Sequence, residues 1–235
     1  MKRLILPLFL ASLLVGCAGT LSDKMATAET VELSGGELLG QTKAFYWSTV
    51  RGSKPLTASD YVQQANNSWY KSSYKWQNGT ISEIIREGKM FQSDGSLKSF
   101  LVNIRFSTEG EAIYQRYRID NQVLPLNQED LDDYANQAQV VVNKVNAQHS
   151  DGLELIQGIW NGETFEGCDG VRYNTLDFEE AQLPLSIQER LNSLSSYAIF
   201  VGEKSKRSKT VTVEKLISLE DESVGCMQKP HLIMN

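Results

Sequence analysis

Four turn pairs, Asn78-Gly79, Asp94-Gly95, Glu109-Gly110 and Asp120-Asn121, divide the stretch from Trp69 to Leu126 at intervals of 16, 15 and 11 residues. Asn-Gly and Asp-Gly accept the positive φ angles of tight hairpin turns, and the segments between them are aromatic and β-branched. The spacing predicts an antiparallel meander with strands near 68–77, 80–91, 97–107, 111–119 and 122–126, after an initial strand around Phe45-Tyr46-Trp47. Alternation supports it: Phe100, Val102, Ile104 and Phe106 share one face and Ser99, Asn103 and Arg105 the other, with Leu101 out of pattern. Thr57 to Asn67 reads as a short helix ahead of the meander, with Thr57 and Asp60 as a weak capping pair.

A sheet with one apolar face needs a cover. Leu131, Tyr134, Ala135, Ala138, Val141, Val142 and Val145 fall on one helical stripe of nearly four turns, which predicts a long helix laid on that face. Asn127 is placed to cap its start, and Glu129, Asp130, Asp132 and Asp133 sit where the helix dipole favours negative charge. The same acids lack the alternating spacing and glycine of a calcium loop.

After a break at Ser150-Asp151-Gly152, Leu153–Ile159 and Glu163–Gly167 flank Trp160-Asn161-Gly162 as a hairpin, and further strands are expected at Arg172–Phe178, Tyr197–Glu203 and Thr210–Leu219. A helix between the third and fourth of these carries Ser186 and Glu189 as a capping box and Ile187, Leu191 and Leu194 as an apolar face. Three strands, a helix and two strands is the order of an OB-like small barrel. The expected fold is α+β and mostly antiparallel β. A meander with one long helix occupies 41–150, and an OB-like barrel with one short helix occupies 151–235.

The N-terminus has another purpose. Lys2 and Arg3 precede an apolar stretch from Leu4 to Val15, too short to span a bilayer, and Leu14-Val15-Gly16-Cys17 has the form of a lipobox. Residues 1–16 then form a lipoprotein signal peptide, Cys17 becomes the acylated N-terminus, and the small polar stretch of 17–40 is a flexible tether. Acylation on thiol and amine gives stable anchoring, because each buried methylene adds ~0.8 kcal/mol. In bacterial lipoproteins an aspartate directly after the cysteine commonly signals inner-membrane retention. Ala18 at that position points instead to the outer membrane, facing the periplasm. Loss of Lys2 and Arg3 from the 23 basic residues, against 29 acidic ones, leaves a formal charge of −8 and argues against nucleic-acid binding. Beyond Cys17 only Cys168 and Cys226 remain, a pair suited to a disulfide in an oxidising compartment. The rival arrangement, zinc held by Cys168, Cys226 and His231, needs a fourth ligand and has no close Cys-x-x-Cys pair.

Catalytic machinery is hard to assemble from this chain. Its two histidines, His149 and His231, sit in no motif, and nucleophile-elbow, zinc-helix and phosphate-loop patterns do not occur. Glu154, Glu163, Glu166, Asp169 and Asp177 lie near strand ends and supply the one enzymatic alternative, a carboxylate-dependent, glycan-directed hydrolase. Two features suit binding. Tyr70, Tyr74 and Trp76 share a strand face, either in the core or exposed to a sugar, lipid or peptide. Lys204, Lys206, Arg207 and Lys209 crowd a hairpin between the last two strands, beside the usual ligand face of an OB-like barrel, where phosphate, an acidic glycan or a partner protein would be attracted. The neutral reading of that hairpin is a solvated tip that resists edge-to-edge aggregation.

The lipobox, the hairpin series ending in Tyr117-Arg118-Ile119-Asp120-Asn121-Gln122-Val123-Leu124-Pro125-Leu126, and the Cys168/Cys226 pair together resemble the YjaH-like family of uncharacterised gammaproteobacterial lipoproteins. The resemblance covers nearly the whole chain and implies no activity, cofactor or catalytic residue. The expectation is an outer-membrane-anchored periplasmic protein that acts by binding an envelope protein, glycan or glycolipid. The alternatives are the carboxylate hydrolase and an assembly partner that docks other envelope proteins on a sheet edge.

Overall fold

A computed structural model describes residues 29–178 and 181–233. Eight strands form one antiparallel sheet in sequence order: β1 (Thr30–Leu39), β2 (Thr42–Arg51), β3 (Lys54–Gln63), β4 (Trp69–Gln77), β5 (Thr80–Phe91), β6 (Leu97–Phe106), β7 (Ala112–Ile119) and β8 (Gln122–Leu124). The punctuating pairs turn the chain as their chemistry requires. Asn78 and Gly79 both take positive φ, and Gly95, Gly110 and Asp120 do so at the other turns.

Two segments depart from the sequence reading. The helix expected over Thr57 to Asn67 is replaced by β3, paired to β2 and β4 on either side. Thr57 and Asp60 resemble a helix start, but the alternation of Ala58, Asp60 and Val62 against Ser59 and Tyr61 governs, because a central strand has a buried partner for each face. The proposed tether ends early, since β1 takes up Thr30–Leu39 of it and pairs with β2 from Thr30↔Arg51 to Leu39↔Thr42. Gly35-Gly36, read as a flexible pair, is instead where the sheet is squeezed from both sides. A Cβ on Gly36 would meet the Ala44 carbonyl oxygen at 2.9 Å and Leu155 Cδ1 at 3.2 Å, and one on Gly35 would collide with the side chain of Gln148. The signal peptide, Cys17 and the start of the tether lie outside the described residues.

The long helix α1 (Gln128–Ser150) covers the sheet. Asn127 caps it through a reciprocal box: its side chain accepts from Asp130 N, and Asp130 Oδ2 accepts from Asn127 N, both at 2.9 Å. Leu131, Ala138, Val141, Val142 and Val145 pack on Tyr46, Tyr74, Ile84, Val102 and Ile104. Near its end, Gln148 grips β1 by donating to and accepting from the Gly36 backbone. Lys144 adds an ion pair to Glu37, which also accepts from the Tyr46 hydroxyl. Burial would raise the Glu37 carboxyl, but those hydrogen bonds and the Lys144 charge outweigh it and hold it below the usual range.

Beneath the helix lies a charged pair. Arg86 and Asp60 are both buried, 4.0 Å apart, with Tyr74 OH donating to Asp60 Oδ2 and Arg86 donating to Ser72 Oγ and Tyr74 OH. The guanidinium lies 4.2 Å from the ring centre of Tyr70 on the sheet and 4.9 Å from that of Tyr134 on α1, so it joins the two layers.

The second half is a small barrel of β9 (Glu154–Trp160), β10 (Phe165–Gly167), β11 (Arg172–Tyr173), β12 (Thr175–Asp177), α2 (Leu185–Ser193), β13 (Ser196–Ser205) and β14 (Thr210–Asp221). The sheet order is β11-β10-β9-β13-β14-β12, with β12 and β14 parallel. Since β11 and β12 are one strand interrupted at Asn174, its two ends belong to opposite edges of the sheet and nearly close it. This is the OB connectivity anticipated from the element order. The expected capping box of α2 does not form: Pro184 is the N-cap and Ser186 is already inside the helix, because proline's fixed φ suits the entry. Leu191 is the buried residue of α2, and its carbonyl accepts from Trp160 Nε1.

The barrel wall docks on the outer face of the meander. Phe45 and Trp47 of β2 pack against Leu155, Tyr197, Ile199, Val201 and Ile217 in a shared core. A strap of chain beyond β14 reinforces the junction. The Cys168–Cys226 disulfide fixes its start, Met227 N donates to Gln157 Oε1, and Ser73 Oγ donates to the Pro230 carbonyl and accepts from Leu232 N.

Candidate functional site

Along the seam between barrel and meander runs a groove of about 650 Å³. One wall is Pro184 and Ile187 of α2, the opposite wall Leu38 at the end of β1, and the floor Ile217 and Leu219 of β14. Local irregularity builds the floor. Ile199 pairs with Ser218 and Phe200 with Leu216, so Ile217 is an extra residue in β14; this bulge lets Leu216 reach the barrel interior while Ile217 faces the meander. A second irregularity follows at Gly202, where any Cβ would strike the Thr212 carbonyl. The volume is in the range of small-molecule sites, as is the mixture of apolar walls with a few polar groups.

Two lysines stand at the groove's edge. Lys43 Nζ donates to Ser218 Oγ at 2.7 Å and pairs with Glu220 Oε1 at 2.5 Å. Burial would raise Glu220, but the hydrogen bonds from Lys43 and Ser218 and the charges of Lys43 and Arg190 hold it below the usual carboxylate range. Lys215 is exposed and donates to the Leu38 carbonyl at 3.2 Å; among the described residues no carboxylate lies within ion-pair distance of it. Beyond Lys43 the groove continues into a second hollow of about 400 Å³, lined by Gln41, Gln63, Gln64, Asn67, Trp69 and Glu220. Past Lys43 the lining shifts from mainly hydrocarbon to mainly polar side chains.

The residues singled out from sequence lie elsewhere. Tyr74 is fully buried, and Tyr70 and Trp76 are half-buried against the α1-facing core, so the aromatic face packs the interior rather than meeting a ligand. Tyr70 OH accepts from Gln137 Nε2 at 2.6 Å. The basic quartet divides. Lys206, Arg207 and Lys209 are exposed on the β13–β14 turn, whereas Lys204 is drawn back between Glu154 at 3.3 Å and Asp169 at 3.1 Å. The turn also serves the barrel, because the Lys209 carbonyl accepts from Asn174 and Thr175 where the parallel pairing begins. Glu154 and Asp169, two of the acids considered for hydrolysis, are therefore held by one lysine, and Glu166 pairs with Arg172. Burial would raise Asp169, but the Val171 backbone and Lys204 keep it low, an environment for an ionised partner rather than a proton donor. Both cysteine sulfurs are spent in the disulfide, which removes them from the zinc arrangement with His231.

Sequence reasoning missed the groove because its walls come from four separated segments and none carries a motif. The one available signal was the excess of apolar residues in 215–219 over strict alternation, which marks the bulge. Comparison with known proteins gives one match: the model of a family described as Protein of unknown function (DUF1481) matches residues 34–231. No curated protein and no solved structure matches the chain.

Proposed function

We propose that this chain, which belongs to the DUF1481 family of proteins of unknown function, is a YjaH-like lipoprotein, acylated at Cys17 and held at the periplasmic face of the outer membrane, that binds a hydrocarbon-bearing ligand in the seam groove. The groove carries the reading: a mainly apolar trough of about 650 Å³ lies along the seam where the two halves meet, where pockets for small ligands commonly form. A lipid anchor would keep such a site beside its supply of amphiphiles.

Anchoring is tested by palmitate labelling in cells. Cys17→Ser should abolish incorporation and leave a precursor or a soluble form, and labelling equal to wild type would remove the lipoprotein assignment. Binding is tested with the full-length protein in vesicles carrying a photoactivatable monoacylglycerol. Adducts are expected on 183–187 and 215–219, and Ile187→Asp, which sets an unpaired charge on the apolar wall, should lower their yield by about tenfold. Undiminished labelling in a folded Ile187→Asp variant would place the ligand elsewhere.

A further inference from the structure

Polarity along the groove is graded. Between Leu38 and Ile187 the lining is mainly hydrocarbon, and past Lys43 it is the side-chain amides of Gln41, Gln63, Gln64 and Asn67 with the ring of Trp69 and the Glu220 carboxylate. The two hollows share Gln41, Lys43 and Ala65, so they are one trough with a boundary. Lys43 stands at that boundary and Lys215 on the rim of the apolar part. Each ammonium has three N–H donors; Lys43 uses two on Ser218 and Glu220, and Lys215 uses one on the Leu38 carbonyl.

Resting on the groove reading above, we infer that the ligand is a single-chain anionic amphiphile of the lysophospholipid kind. Its acyl chain lies between Leu38, Ile187 and Ile217, its phosphate sits at the boundary against Lys43 and Lys215, and a hydrogen-bonding head lies among the amides beyond. A hydrocarbon chain alone would leave those amides and the spare ammonium donors to water. A free fatty acid would satisfy the lysines but not the amide hollow. The formal charge, −6 for the whole chain and −8 without Lys2 and Arg3, gives no general attraction for anions, so selectivity has to come from these two local cations. Glu220 limits how much negative charge is accepted, since its carboxylate already neutralises part of Lys43.

The test uses the full-length protein in vesicles of neutral lipid, with a photoactivatable lysophosphatidylglycerol compared against a monoacylglycerol and a fatty acid of the same chain length and the same photoreactive group. Adducts mapped to 183–187 and 215–219 are expected to form from the lysophosphatidylglycerol at a competing concentration about tenfold lower than from either comparator. In the Lys43→Gln/Lys215→Gln variant that preference should vanish while labelling by the monoacylglycerol persists. Equal labelling by the neutral and the anionic probe, or a preference that survives the double substitution, would overturn the headgroup assignment and leave the apolar groove intact. Labelling by the fatty acid as strong as by the lysophospholipid would overturn the role of the amide hollow. Absence of groove adducts from every probe would instead count against the groove reading itself. Burial of the groove by a second copy of the chain, seen as a dimer in crosslinking, would overturn both.

Discussion

Replacing Arg86 by leucine is expected to lower stability by about 3–5 kcal/mol, because it leaves the Asp60 carboxylate buried without its partner. Asp60 is fully buried, and burial already pushes its carboxyl up, against the pull of the Arg86 charge and the hydrogen bonds from Ser72 and Tyr74. The substitution also removes the donors to Ser72 Oγ and Tyr74 OH and the cation between Tyr70 and Tyr134. Urea unfolding followed by fluorescence measures it, with a lower midpoint at unchanged slope as the expected form. The pair itself is not expected to be worth that much. Two charges taken out of water recover little net energy, so Asp60→Leu/Arg86→Leu should lose much less than the sum of the single variants. A loss below ~1 kcal/mol for Arg86→Leu would show that water reaches Asp60 beneath α1.

The second large effect is expected from the disulfide. Removing both cysteines as Cys168→Ser/Cys226→Ser frees a loop with a sequence separation of 58, a constraint worth about 4 kcal/mol in the chain-entropy account. The location adds a specific signature. Cys226 begins the strap that carries Met227, Lys229, Pro230 and Leu232 across the seam, where Lys229 Nζ donates to Thr49 Oγ1 and Leu232 N to Ser73 Oγ. Without the bond the strap hangs on these contacts and those of Met227 with Gln157 and of Pro230 with Ser73. Limited chymotrypsin digestion should cut after Met227 and Leu232 well before the folded body is attacked, whereas the disulfide-bonded protein should resist. Equal stability and equal protection would mean that the contacts at Ser73 and Gln157 hold the strap unaided.

Local chemistry made some elements legible and others not. The strands from β4 to β8 are readable because each is bounded by a turn whose residues accept positive φ, and α1 because its stripe and its Asn127 cap agree. The OB connectivity followed from element order, although the interruption at Asn174 hides that one strand serves two edges. β1 was concealed by Gly35-Gly36, for the same glycines that suit a tether suit a strand with no room for side chains. β3 was concealed by Asp60, a buried acid whose partner lies 26 positions away on another strand. The groove was the least legible feature of all. Leu38, Ala65, Ile187 and Ile217 acquire a common meaning only after the barrel has docked, and a contiguous sequence pattern does not encode such a surface.

The position of β1 also has a bearing on the order of assembly. It is the first described strand to leave the ribosome, and β2 follows at once, yet the groups that clasp its two faces are far behind: Gln148 lies 112 positions from Gly36, and Leu155, whose amide donates to Ser34, lies 121 positions away. Each strand from β1 to β8 meets a sequence neighbour within a few residues of synthesis, while the two faces of β1 wait for the helix and the barrel. Contacts of such sequence separation close late. During that interval β1 offers its neighbours two bare glycines in place of sticky side chains, which lowers the hazard that an unfinished edge strand poses. Thus the first described strand to be made is the one locked last, and a chain stalled before Leu155 would keep that strand ungripped on the barrel side.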